Sequence, residues 1–168
     1  YTPSLHDALP ISSYDSLGAA GNAKKPMDAA QLRAELTESL DHIASKLPDK
    51  PGLAGKRVWI GEYGFPLRRM GTPQRQDEAT REVCAIALEW GCPFMLYWEF
   101  YNNEVDDQGQ RGFWMIDDHG VKQPVWQTHH DYYAWARQTW AAWQAEHGEP
   151  MPDGQFRTAA AAWLRAKR

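Results

Sequence analysis

The sequence predicts an α/β chain, the last two to three βα units of a parallel (β/α)8 barrel followed by a helical C-terminal extension. Three observations predict it. The stretch Arg57-Val58-Trp59-Ile60-Gly61-Glu62 reads as a short apolar strand that ends on a carboxylate and breaks at once at Gly64 and Pro66. After a helical stretch comes a second apolar strand, Pro93-Phe94-Met95-Leu96-Tyr97-Trp98-Glu99-Phe100; this βαβ order calls for parallel strands and a right-handed crossover. The length of 168 residues falls short of the roughly 250 that a closed barrel needs.

The elements follow in order. Residues 1–11 do not join naturally to the rest, and Ser4-Leu5-His6-Asp7-Ala8-Leu9-Pro10-Ile11 has the look of translated adapter or vector sequence. They are expected to be a non-native leader, with the true N-terminus missing. Residues 12–18 resemble a strand end spilling into a loop. Asp28 is a candidate N-cap, and Leu32, Leu36, Leu40, Ile43 and Leu47 keep helical spacing up to Pro48. Beyond the strand at 57–62, a loop carries Arg68 and Arg69. Thr72 then reads as an N-cap with Pro73 at the first helical position, and Gly91 as the stop. The segment 102–110 is polar and exposed, 113–117 is extended, a helix covers about 125–146, and a last Ala-rich helix covers about 155–167. The barrel-derived domain is thus expected over 12–147 and the extension over 148–168.

Composition narrows the functional classes. The formal charge is −4, with no basic run dense enough for nucleic acid or an anionic membrane. No apolar run reaches the ~18 residues of a membrane span. Nine Trp, seven Tyr and five Phe supply both core and flat platforms for sugars. Cys84 and Cys92, the only cysteines, read as two buried thiols.

In a parallel barrel the strand tips meet at one rim, where catalysis takes place. Three tips carry chemistry here: Tyr14, Glu62 and the pair Trp98-Glu99. A carboxylate to attack an anomeric carbon, a phenol to orient it and an indole to lie under a pyranose ring suit a sugar substrate.

On these residues the sequence resembles a family. Trp59-Ile60-Gly61-Glu62-Tyr63-Gly64-Phe65-Pro66, followed by Leu96-Tyr97-Trp98-Glu99-Phe100-Tyr101-Asn102-Asn103, is similar to the C-terminal part of cellulase-like retaining glycoside hydrolases with a TIM barrel. The resemblance covers roughly residues 12 to 135. It implies Glu62 as the nucleophile at the seventh strand's end, Trp98 as the sugar platform at the eighth, and Tyr14 as the group that hydrogen-bonds the nucleophile. Tyr63, Glu99, Asn102, Asn103 and Glu104 complete the expected substrate cleft. It implies an oligo- or polysaccharide substrate and no metal or organic cofactor. The family's acid/base Glu, commonly preceded by Asn, lies on a fourth strand that this chain lacks. Asn103-Glu104 is the only Asn-Glu pair, and it falls after the second strand, so Glu104 is read as a cleft or solvated residue. Retention needs two carboxyls about 5 to 5.5 Å apart. The chain alone is therefore expected to hydrolyse poorly, and to self-associate through its unclosed barrel edge. The alternatives are a non-catalytic carbohydrate-binding or interaction module, and an orphan fold whose aromatics are simply core.

Other polar clusters have plainer readings. His129-His130-Asp131 fits a solvated helix face, because adjacent helical residues point apart. Arg68 and Arg69 read as surface charge. Asp106-Asp107 and Asp117-Asp118 lack the spacing of an EF-hand loop.

Overall fold

The three principal strands, β1 (Pro10–Ser12), β2 (Trp59–Tyr63) and β3 (Met95–Tyr97), form one parallel sheet in the order β1-β2-β3. The computed structural model describes residues 10–12, in backbone course only, and residues 29–52, 55–101 and 104–167. Tyr14, Asp28, Asn102 and Asn103 lie outside the described residues. The first strand takes in Pro10 and Ile11, two positions assigned to the leader, and its described part ends at Ser12.

Between β1 and β2 runs α1 (Ala29–Lys46), which buries Leu32, Leu36 and Leu40. The one-turn α2 (Leu67–Met70) replaces part of the expected loop. Between β2 and β3 runs α3 (Pro73–Trp90), which starts and stops where the sequence indicates. Thr72 Oγ1 accepts the Arg75 amide at 3.2 Å, Pro73 occupies the first turn, and Gly91, at φ 95°, closes the C-terminus by donating to Ala87 and Leu88 carbonyls. Both helices lie on one face of the sheet. There Val58, Ile60 and Tyr63 join Leu32, Leu36, Leu40, Val83 and Ile86 in the main core.

The second apolar strand is shorter than expected, three residues rather than eight. Beyond Trp98 the chain leaves β2 and pairs elsewhere: the Phe100 carbonyl accepts Met115 N–H at 3.0 Å and Ile116 N–H at 3.1 Å, and Tyr101 and Ile116 form a parallel bridge. A small hairpin, β4 (Val105–Asp106) and β5 (Gly109–Gln110), occupies the segment read as a polar loop. Two helices follow, α4 (Pro124–His147) and α5 (Asp153–Ala166). Ala161 and Leu164 of α5 pack on Ala85 of α3, while Trp135 of α4 stacks between Phe156 and Trp163 of α5. Arg165 joins the same layers through Glu82, at 3.1 Å, and Glu89. The class is therefore α/β, with parallel strands joined by helices.

Among the described residues, no helix packs on Phe94 and Leu96 at the opposite face of the sheet. Phe94 and Leu96 there are 46% and 55% exposed, and Trp59 stacks on Phe94 with ring centroids 4.9 Å apart; beyond the sheet, Phe100 and Tyr101 are 49% and 62% exposed. A parallel sheet ordinarily has both faces covered.

Candidate functional site

Glu62 sits at the tip of β2 in an irregular stretch. The ladder to β1 skips from Ile60 to Glu62, and the ladder to β3 skips from Ile60 to Tyr63. These shifts break the two-residue alternation that would put Val58, Ile60 and Glu62 on one face. Ile60 and Tyr63, three positions apart, both enter the helix-side core. Glu62 lies between them, next to Tyr63 at the end of the strand. It is partly exposed and pairs across the ladder with Ser12. The bulge interrupts the regular alternation on which the expected shared face of Val58, Ile60 and Glu62 rests.

The reading of Tyr63 as a cleft residue is corrected by its burial. Its side chain is buried against the helices. Cys84 Sγ donates to Tyr63 Oη at 3.3 Å, and Tyr63 Oη lies 2.9 Å from His129 Nε2. His129 Nδ1 lies 2.7 Å from the Val125 carbonyl, which can only accept. Nδ1 therefore carries the ring proton, and Nε2 accepts from the Tyr63 hydroxyl. Burial lowers the His129 pKa from its usual value and pushes the Cys84 thiol up to about 12. The expected solvated face holds for His130, which stacks on Trp126, and fails for His129, which closes a chain of hydrogen bonds in the interior. Both cysteines are free thiols; Cys92 is buried and Cys84 partly so.

Trp98 is held beside the β2 tip by its backbone. Its amide donates to the Tyr63 carbonyl at 2.7 Å, and its own carbonyl lies over Gly64, where a β-carbon would come within 1.9 Å of it. The Trp98–Glu99 peptide is cis. The indole N–H donates to Glu104 Oε1 at 2.8 Å, and Glu104 Oε2 takes the Arg111 guanidinium. Glu104 is partly buried by this pairing. It fixes the indole rather than standing in solvent, a role invisible in the sequence because its partners meet only across the turn. Glu99 is partly exposed, and its carbonyl accepts the Met115 amide at 3.2 Å.

The loop after β2 is braced from below. Gln76, fully buried on α3, donates to the carbonyls of Phe65 (2.6 Å) and Gly112 (2.8 Å), and Leu67 N–H also donates to Gly112 at 2.9 Å. Arg68, read as surface charge, makes a two-pronged pair with Asp106 of the hairpin. The guanidinium holds the Asp106 carboxyl down at about 2. No group of His, Cys, Asp and Glu among the described residues is arranged to hold a metal ion, and no described helix is long and apolar enough to cross a membrane.

The structure thus brings Glu62, Trp98 and Glu104 to one end of the sheet and sends Tyr63 behind it. No family model, no curated protein and no solved structure matches the chain.

Proposed function

We propose that this chain is the closing part of a TIM-barrel glycosidase that cleaves β-linked glycans with retention, with Glu62 as nucleophile and Trp98 as the platform under the sugar. The observation that carries the reading is the 2.7 Å hydrogen bond from the Trp98 amide to the Tyr63 carbonyl. It ties the tip bearing the indole to the tip bearing the carboxylate, and that carboxylate is partly exposed. In a complete barrel these tips would form the rim where sugars bind.

Double displacement asks Glu62 to attack the anomeric carbon while a second carboxyl protonates the leaving oxygen. Glu104 does not suit the second role, since both its oxygens are engaged, one by the indole and one by Arg111. The acid/base would come from strands this chain does not contain, and unactivated glycans would turn over poorly.

An activated fluorosugar tests the nucleophile without the acid. With a dinitrophenyl 2-deoxy-2-fluoro-β-glucoside or β-cellobioside, a Glu62 oxygen bonds to the anomeric carbon as dinitrophenolate departs with the bonding electron pair. No proton donor is required for that leaving group. The expected result is a mass gain of one fluoroglycosyl unit on Glu62, absent in Glu62→Gln and slowed in Trp98→Ala. No adduct with either probe overturns the catalytic reading. The exposure of Phe100 and Tyr101 beside Trp98 supports a second reading, a carbohydrate-binding module. Oligosaccharide binding lost in Trp98→Ala, kept in Glu62→Gln and unaccompanied by labelling would favour it.

A further inference from the structure

A cavity of about 370 Å³ lies on the helix side of the sheet, where the start of β3 meets α3, α4 and α5. It is a separate feature from the rim, and the glycosidase reading does not bear on it. Its volume is that of a pocket for a small organic molecule. Leu88, Met95, Phe156 and Leu164 give it apolar and aromatic walls.

The polar groups on its lining fall into two sets. Cys84, Tyr63 and His129 satisfy one another in the chain that ends on the Val125 carbonyl, so they ask nothing of a guest. Thr128 and Arg157 are different. Thr128 is 2% exposed, and its hydroxyl has no hydrogen-bond partner. A buried hydroxyl left unpaired is costly, and such atoms in native interiors ordinarily have a partner. Arg157 gives one N–H to the Cys92 carbonyl at 2.7 Å, which leaves the rest of a five-donor fork. Asp153 also lines the cavity one helical turn away, but the two make no ion pair.

A guest that satisfies this lining brings acceptors to a hydroxyl and a guanidinium, and a flat apolar body to Phe156 and its neighbours. A planar carboxylate matches the guanidinium fork in charge and shape. We propose that this cavity binds a small aromatic carboxylate, with Thr128 and Arg157 donating to the carboxylate and the ring packed on Phe156, Leu88 and Met95.

The test is a titration of the full chain with sodium benzoate, followed by amide and arginine side-chain NMR, with toluene and benzyl alcohol as neutral comparisons. The expected result is saturable shifts confined to Leu88, Cys92, Thr128, Arg157 and Leu164, with benzoate binding at least tenfold tighter than either neutral probe. Arg157→Leu should weaken benzoate at least tenfold and Thr128→Val several-fold, while toluene binding is unchanged in both. Unchanged thermal unfolding marks a variant as folded, and Thr128→Val, close to isosteric, serves if Arg157→Leu does not fold. Absence of saturable shifts, equal affinity for toluene and benzoate, or wild-type benzoate affinity in either folded variant would each overturn the proposal.

Discussion

Replacing Gly64 by alanine tests how the site is assembled. A β-carbon there would sit 1.9 Å from the Trp98 carbonyl oxygen, 3.1 Å from its carbon and 3.3 Å from the Phe113 ring. Ordinary contact is about 3.5 Å, so the two backbone segments must part by about 1.5 Å. Backbone cannot rotate aside as a long side chain can. Overpacking costs about 1–3 kcal/mol, and parting the segments also strains the Trp98 to Tyr63 hydrogen bond, itself a net contribution of about 1 kcal/mol. The expected loss is about 2–4 kcal/mol, a large share of the roughly 5–15 kcal/mol of a typical domain. Gly71→Ala is the control. Its β-carbon meets nothing within 4 Å, and only the left-handed φ of 79° opposes it, a cost of about 1–2 kcal/mol. Urea unfolding of both variants, followed by tryptophan fluorescence, separates the two costs. If Gly64→Ala lost less than 1 kcal/mol, or no more than Gly71→Ala, Trp98 would not be locked over this glycine, and the argument that ties it to the Glu62 tip would fail.

Two further outcomes follow from the interior chain and the exposed apolar side chains. The folded state holds His129 neutral with its pKa lowered by burial, so the unfolded chain binds the extra proton first; the stability this group contributes is complete above its unfolded value near 6.5 and is lost as pH falls from there through the lowered folded value. Urea midpoints should decline with acid across that window in the wild type and decline less in His129→Gln, whereas identical pH profiles would remove His129 as the cause. Phe94, Leu96, Phe100 and Tyr101, each about half exposed, together offer about 400 Å² of apolar surface if a large side chain offers about 200 Å², an amount that invites association where it is contiguous. Light scattering at high concentration should give a mass above 19.2 kDa, lowered by Leu96→Lys, and a clean monomer would count against association through these side chains.

The parts of the fold legible in the sequence are those set by neighbours in the chain. Thr72, Pro73 and Gly91 mark both ends of α3 through local backbone chemistry, and the leucines of α1 report their buried stripe by spacing alone. Helix between apolar strands gave the parallel pairing of β2 and β3. What escaped depends on partners far away in sequence. The bulge at Gly61-Glu62 leaves no mark in hydropathy, yet it breaks the alternation by which the strand was read. His129 looks like its polar neighbours His130 and Asp131 until α4 packs and Tyr63 meets it. Glu104 looks solvated until the turn after Trp98 folds back.

These misses share a direction that bears on the candidate site. Each concerns a polar side chain whose role is set by which face of the sheet it meets, and the two faces are unequally furnished. On the helix side the chain supplies its own partners: the Cys84–Tyr63–His129 chain and the Gln76 brace engage groups from β2, α3 and α4. At the strand tips stand Glu62 and Trp98, and on the other side Phe94 and Leu96 are about half exposed. A half-exposed aromatic face behind a tip bound so tightly to its neighbour is poorly explained by stability alone, since covering it would stabilise the sheet. The fluorosugar and light-scattering experiments ask separately whether a sugar meets the rim or protein meets the face.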